Sequence, residues 1–428
     1  MQEDAFPAAE KILSDIENVL KKDTNLVSFE IIPALDNENK SPVFHDQHSL
    51  GLASWSVKPL YFYTYNRLLE VRRNRHRREE PDTLARWLLG ALLLNPDVST
   101  FWNMRRELVR SGRLEPVDEL RFVALVLYYK AKCFEAFAYR RWLMRFALEG
   151  ERPAVETVEC FLRNEIDVAT TSANRYANNC HAWSHREHVV TILEKLAPGR
   201  TRALLKAEWE ATGKWCNRHV SDYSGLAYRQ FLLKRLVEDL YREEQEVAEK
   251  PSEDELARRR EALCEFVGVA ARGCNDVFLL QNGSSDEFLE VMHGTRGGKR
   301  PATDHDRTLV GLSYWTEEVV LNEDLINSYP GHEALWYHRR FLAHALVVLV
   351  ASYEESSSYR TAVFDSPIRG RATSRAPSEE DAPSRGLLEH AFGTRNKEAI
   401  ATARRFGLHQ NTMADRFLQF LGCIGLEP

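Results

Sequence analysis

Asn179-Cys180-His181-Ala182-Trp183-Ser184-His185-Arg186 decides the fold, because its closing Trp-x-x-Arg returns along the chain. The same spacing joins Trp102 to Arg105 and Trp336 to Arg339. Two degenerate copies keep the arginine and lose the tryptophan: Phe137 with Arg140, and Leu226 with Arg229. The anchors at 102, 137, 183 and 226 are 35, 46 and 43 residues apart, and the step from 226 to 336 is 110, which leaves room for an insertion. Trp55-Ser56-Val57-Lys58 reads as a worn earlier copy.

Turn residues precede each anchor: Asn95-Pro96-Asp97, Asn178-Asn179, Ser221-Asp222 and Pro330-Gly331. Such residues end one helix and cap the next. Before each turn the apolar residues recur at helical spacing, as at Leu84, Leu88, Ala91 and Leu92. After it comes a second apolar run, such as Phe231-Leu232-Leu233. Each unit therefore reads as a helix–turn–helix. One hairpin cannot hide its apolar face, but a row of them shares a continuous core. The expected fold class is all-α, a solenoid of antiparallel helical hairpins with no sheet of consequence. Tryptophan and arginine three apart lie on one helix face, so the arginine stem can pack on the ring while its fork bonds the turn of the next unit. That makes the pair a structural staple.

Outside the repeats, residues 8 to 22 read as an amphipathic helix and 33 to 50 as loop. The expected domains are an N-terminal helix and loop (1–50), helical repeats (51–240), a partly flexible insertion (241–310), a last repeat (311–352), a disordered loop (353–394) and a C-terminal capping helix (395–428). Gly283-Ser284-Ser285 and Gly297-Gly298 are read as flexible points within the insertion.

The chain has 428 residues, 44% of them apolar, and a net charge of −6, which excludes a general polyanion binder; no nucleic acid is expected as a partner. The basic run at 72–78 reads as a solvated helix end. Seven scattered cysteines without a CxxC pair suit reduced thiols in a cytosolic or nuclear protein, and a cytoplasmic location is expected. No secretory signal, transmembrane segment or C-terminal prenylation box is read.

The phrases Leu-Leu-Asn-Pro-Asp (93–97), Asn-Cys-His-Ala-Trp-Ser-His-Arg (179–186) and Tyr-Pro-Gly-His-Glu-Ala-Leu-Trp-Tyr-His-Arg-Arg (329–340) resemble the repeats of protein prenyltransferase α subunits. His219-Val220-Ser221-Asp222 and Tyr228-Arg229-Gln230-Phe231-Leu232-Leu233-Lys234 resemble the repeat-containing, α-like branch of that family. The resemblance implies a right-handed superhelical crescent that works only with a catalytic β subunit, of the Rab geranylgeranyltransferase type. The pair would form a type III geranylgeranyltransferase. It would move the isoprenoid from geranylgeranyl diphosphate to a cysteine near the C-terminus of an acceptor protein, a farnesylated SNARE among them. Zinc is expected on the β partner and no metal or cofactor on this chain.

The family places a lysine near the diphosphate, five residues before a repeat anchor. Lys132 matches, five before Phe137. In the next repeat Asn178 holds that offset, and His181 matches a family histidine on the isoprenoid rim. A family tyrosine is Phe134 in one repeat and Cys180 in the other, without the hydroxyl. On spacing alone Lys132 is a solvated turn residue, and His181, His185 and His188 share a helix face without the Cys or acidic ligands a metal would want. Two other readings stay open. One is a non-catalytic scaffold, for which the degenerate anchors Phe137 and Leu226 speak. The other is an α subunit for a farnesyltransferase-type β subunit.

Overall fold

The computed structural model describes residues 6–34, 41–73, 79–148, 155–239, 251–271, 277–294, 302–354 and 386–427. Readings that fall on other residues, namely the Gly297-Gly298 loop, the basic run from Asn74 and nearly all of the 353–386 loop, lie outside the described residues. The chain divides into two compact units, Met1–Ala197 and Pro198–Pro428.

The first unit opens with α1 (Ala9–Lys22), then β1 (Ser28–Ile32), β2 (Val43–Asp46) and β3 (Ser49–Ala53), then α2 (Ser54–Arg73). Three helical hairpins follow: α3 (Pro81–Leu94) with α4 (Ser99–Arg110), α5 (Pro116–Tyr129) with α6 (Phe134–Leu148), and α7 (Val155–Arg175) with α8 (Cys180–Leu196). Proline opens both α3 and α5, where a missing N–H costs nothing. Helix α1 lies close on α3, since a Cβ at Gly90 would come within 2.3 Å of Leu13.

The small three-stranded sheet leaves the all-α class standing but corrects the expected loop over 33–50. Strand β3 pairs in parallel with β1 and antiparallel with β2. Phe29, Leu50 and Leu52 are buried, and Phe29 meets Tyr129 of α5 edge-on at 5.3 Å. The β2–β3 turn puts Gln47 and His48 at φ 41° and 64°, a geometry usually signalled by Asn-Gly. Trp55 is no repeat anchor, because Lys58 in its arginine slot lies over the Phe62 ring.

The second unit holds α9 (Pro198–Cys216) with α10 (Tyr223–Asp239), then α11 (Glu253–Ala271), α12 (Val277–Asn282) and α13 (Ser285–His293). It continues with α14 (Ala302–Ser328) against α15 (Glu333–Glu354), and closes with α16 (Leu387–Arg404) against α17 (Leu408–Ile424). Three expectations change here. Ser284 and Glu287 form a reciprocal capping box, so Gly283-Ser284-Ser285 starts a helix. Helix α16 begins at Leu387, inside the expected 353–394 loop. The expected single capping helix is a hairpin, broken at Gly407 with φ 103°.

The anchors are buried as expected: Trp102, Phe137, Trp183, Leu226 and Trp336 are all within 3% of full burial. The arginine forks differ from the expectation. Those of Arg105, Arg140 and Arg229 reach a carboxylate on the first helix of the next hairpin, and not its turn. Arg105 grips Glu119 with two N–H groups, and Arg140 grips Glu165 at 2.6 and 2.8 Å. In the second unit Arg229 grips Glu318 across 89 residues of chain. A third N–H of each donates to a carbonyl twenty residues earlier, of Ala85, Leu120 and Trp209 respectively.

A second member completes each clip. The residue before the arginine donates to the carboxylate of its own hairpin's first helix: Tyr139 to Glu119 (2.7 Å), His185 to Glu165 (3.0 Å), Tyr228 to Glu208 (2.8 Å) and His338 to Glu318 (2.8 Å). Burial would raise the pKa of Glu165 and Glu318, but the adjacent guanidinium and imidazole outweigh it and hold both at about 2. Arg339 differs: it donates to the amide of Asn396 at 2.8 Å and to Glu323 at 3.0 Å.

Candidate functional site

Three of the four site residues expected from sequence, Lys132, Phe134 and His181, converge where α5 turns into α6. The turn is tight, with Lys130 N–H bonded to Val126 O and Cys133 N–H to Lys130 O. It presents Lys132 half-buried and Phe134 53% exposed. The Lys132 ammonium lies 4.8 Å from the centre of the Tyr176 ring, which belongs to the end of the next hairpin's first helix. Phe134 meets the His181 ring at 5.4 Å, edge to face. Burial, then the Lys132 ammonium, then Arg141 lower the His181 pKa, so its imidazole is neutral beside a cation.

The residue that ties this arrangement together is Asn179, which sequence reasoning passed over as turn chemistry. It is fully buried and caps α8, accepting from Ala182 N–H. Its amide also donates to Ala131 O at 2.6 Å and Ser172 O at 3.2 Å. One side chain thus fixes the carbonyl next to Lys132 to the helix that carries His181. The cap position before an apolar run was the available signal. Asn178 supplies the left-handed backbone (φ 54°) that turns the chain into this cap. A similar bond joins the preceding pair of turns, where Pro96 O accepts from the Trp102 ring N–H at 2.7 Å and from the Cys133 thiol at 3.6 Å. Burial foremost drives the Cys133 pKa up to about 12, so it stays a thiol.

The other histidines of the α8 face are buried or half-buried. His185 is committed to Glu165. His188 is lowered to about 4, chiefly by burial and then by His185, Arg141, Arg145 and Lys195. Among the described residues no three His, Cys, Asp or Glu side chains form a group able to hold a metal. The five positions at the Lys132 offset are Asp97, Lys132, Asn178, Ser221 and Gly331, so a single repeat carries a cation there. At the corresponding turns of the second unit, Ser221 bonds His332 directly at 2.8 Å. Among the described residues no helix is long and apolar enough to cross a membrane.

The sequence has counterparts in known proteins. The family model of the protein prenyltransferase alpha subunit repeat matches residues 116–147, 162–193, 205–236 and 315–346. These are the four hairpins that pair a glutamate with Tyr or His twenty residues later. The chain is 31% identical to the human protein prenyltransferase alpha subunit repeat-containing protein 1, over 91% of this chain and 92% of that protein. It is 28% identical to the Xenopus laevis repeat-containing protein 1-A over 99% of this chain and 93% of that protein. A more distant likeness, 27% over 33% of this chain and 42% of the relative, is to the geranylgeranyl transferase type-2 subunit alpha of Saccharomyces cerevisiae. On its repeats, its clips and its near full-length likeness, the chain belongs to the family of protein prenyltransferase alpha subunit repeat-containing proteins.

Proposed function

We propose that the chain is the α-like subunit of a heterodimeric protein prenyltransferase, and that its β partner is of the Rab geranylgeranyltransferase type. The observation that carries this reading is the single lysine at the family offset, set beside a neutral histidine on a turn fixed by Asn179. Prenyl transfer builds negative charge on the oxygen leaving the isoprenoid carbon. An ammonium already in position stabilises that charge more in the transition state than in the ground state. In this reading Lys132 supplies it and Tyr176 parks it before the diphosphate of geranylgeranyl diphosphate arrives. Phe134 and His181 form the rim against the isoprenoid, and Asn178 shapes the turn beneath it. The acceptor is a protein cysteine near a C-terminus. Zinc, which lowers the pKa of such a thiol, belongs to the β subunit in this reading.

The scaffold reading loses its main support, because the degenerate anchors are not loosened. Phe137 and Leu226 are buried, and Arg140 and Arg229 keep full clips. The test is co-expression with a Rab-type or a farnesyltransferase-type β subunit, followed by transfer from geranylgeranyl diphosphate. The Rab-type subunit should co-purify and turn over. Lys132→Ala should cut kcat by about 10²-fold, in the range of losing one preorganised charge donor, with co-purification intact. Equal turnover by Lys132→Ala and the parent overturns the catalytic assignment, and capture of only the farnesyl-type subunit overturns the partner.

A further inference from the structure

A second feature of the first unit lies outside that turn. On α6, Trp142 and Phe146 stand one helical turn apart and stack at 5.2 Å with 25° between their planes. From α4, the Arg106 guanidinium lies 5.8 Å from the Trp142 ring and 5.4 Å from that of Tyr139. Arg110, one turn further along α4, lies 5.4 Å from Trp142. Arg141 and Arg145 repeat the one-turn spacing on α6, and both charges reach His188 on α8.

These four arginines are unlike the clip arginines. Among the described residues none of them forms an ion pair, and Arg106 has only the Asn103 side-chain oxygen, at 2.6 Å. Each pair repeats at roughly the 5.4 Å pitch of a helix. Guanidinium groups, weakly hydrated, with N–H groups to spare and in Arg106 and Arg110 held over rings, suit carboxylates. Carboxylates four residues apart on an incoming helix repeat at the same pitch.

We propose that this strip docks an acidic amphipathic helix of a partner protein. Its carboxylates fall on the Arg106–Arg110 and Arg141–Arg145 pairs, and its apolar side chains fall on Trp142 and Phe146. A protein helix fits better than an anionic lipid surface for two reasons. Trp142 and Phe146 are half-buried rather than exposed, with Arg106 and Arg110 against the Trp142 ring. Glu135 stands close enough to Arg106 to act on its charge, so a uniformly negative sheet meets repulsion that a helix in register avoids. The inference does not depend on Lys132 or on prenyl transfer.

The probe is a fluorescein-labelled helical peptide of roughly four turns, with glutamate at every fourth position beside leucine, and a lysine-for-glutamate counterpart. Anisotropy with the full chain should show binding of the glutamate peptide alone, weakened by salt. Arg141→Glu/Arg145→Glu should weaken it by about ten-fold or more. Arg106→Gln/Arg110→Gln and Arg141→Gln/Arg145→Gln should weaken it less, with helical circular dichroism and melting unchanged in all three. Equal binding of the two peptides overturns the proposal, as does a glutamate-peptide affinity that the substitutions leave unaltered. Binding to phosphatidylserine–phosphatidylcholine vesicles that the same substitutions abolish, with no peptide binding, overturns it in favour of a membrane.

Discussion

The interior hairpins and the terminal ones treat the same two positions differently. The first-helix slot reads Leu84, Glu119, Glu165, Glu208, Glu318 and Asn396 along the chain. The slot twenty residues later reads Met104, Tyr139, His185, Tyr228, His338 and Arg416. In Glu119, Glu165 and Glu318 the carboxylate receives the preceding hairpin's arginine and the Tyr or His of its own. The hairpin of Leu84 has no such arginine before it, and it fills both slots with apolar side chains. The last hairpin takes its arginine through a neutral amide, while Glu323 supplies the charge from the hairpin before. Glu119, Glu165 and Glu318 are therefore receptors for a neighbour, and at Leu84, where no such arginine precedes, the slot is apolar. A buried carboxylate is costly without its cation, which explains why the pattern does not begin at Leu84.

Three measurements can break or sharpen that contrast. The largest effect is expected from Arg140→Ala, which leaves Glu165, at 1% exposure, without its guanidinium and with His185 alone; it should cost about 3–5 kcal/mol in chemical denaturation. If it costs no more than an exposed arginine, the carboxylates are not receptors. The paired substitution Arg140→Met/Glu165→Leu should recover most of that loss, because an apolar pair of similar volume is near neutral.

The next effect is on acid stability. Glu165 and Glu318 ionise at about 2, below their ordinary 4.5. A depressed carboxylate pKa stabilises the fold above the ordinary value, and that stability is lost as pH falls through the depressed one. Stability should thus decline between about pH 4.5 and 2, with a shallower slope in the paired variant. An unchanged slope would sever the clip from acid unfolding.

The smallest effect is expected at the end of the array. Asn396→Ala should cost about 1–2 kcal/mol, since it removes one neutral acceptor while Glu323 keeps Arg339 paired. A loss as large as that of Arg140→Ala would show the last hairpin to be no different from the interior ones.

The hairpins were legible in the sequence because Trp-x-x-Arg and the turn residues sit within a few residues of one another. Lys132, Phe134 and His181 were singled out through the family's offsets from the anchors, while their meeting emerges only from the fold. The glutamates were not, because the separation from arginine to carboxylate runs from 14 to 25 to 89 residues. The constant twenty-residue step to Tyr or His was present, but it links two helices and leaves no local pattern. The strands escaped for another reason: each has five residues or fewer, and the turn at Gln47 and His48 lacks the usual glycine.

The Arg229–Glu318 clip has a consequence for how such chains change over time. The guanidinium locates its carboxylate by position in space and is indifferent to the chain between them, so α11, α12 and α13 could be inserted without disturbing the junction. Length can be added between a donating hairpin and a receiving one. Deleting a whole hairpin is equally safe, since its neighbours carry the complementary halves of the same joint. Cutting within a hairpin strands an ion in the core. Variation in this array should therefore come in whole hairpins and in inter-hairpin segments, never in halves.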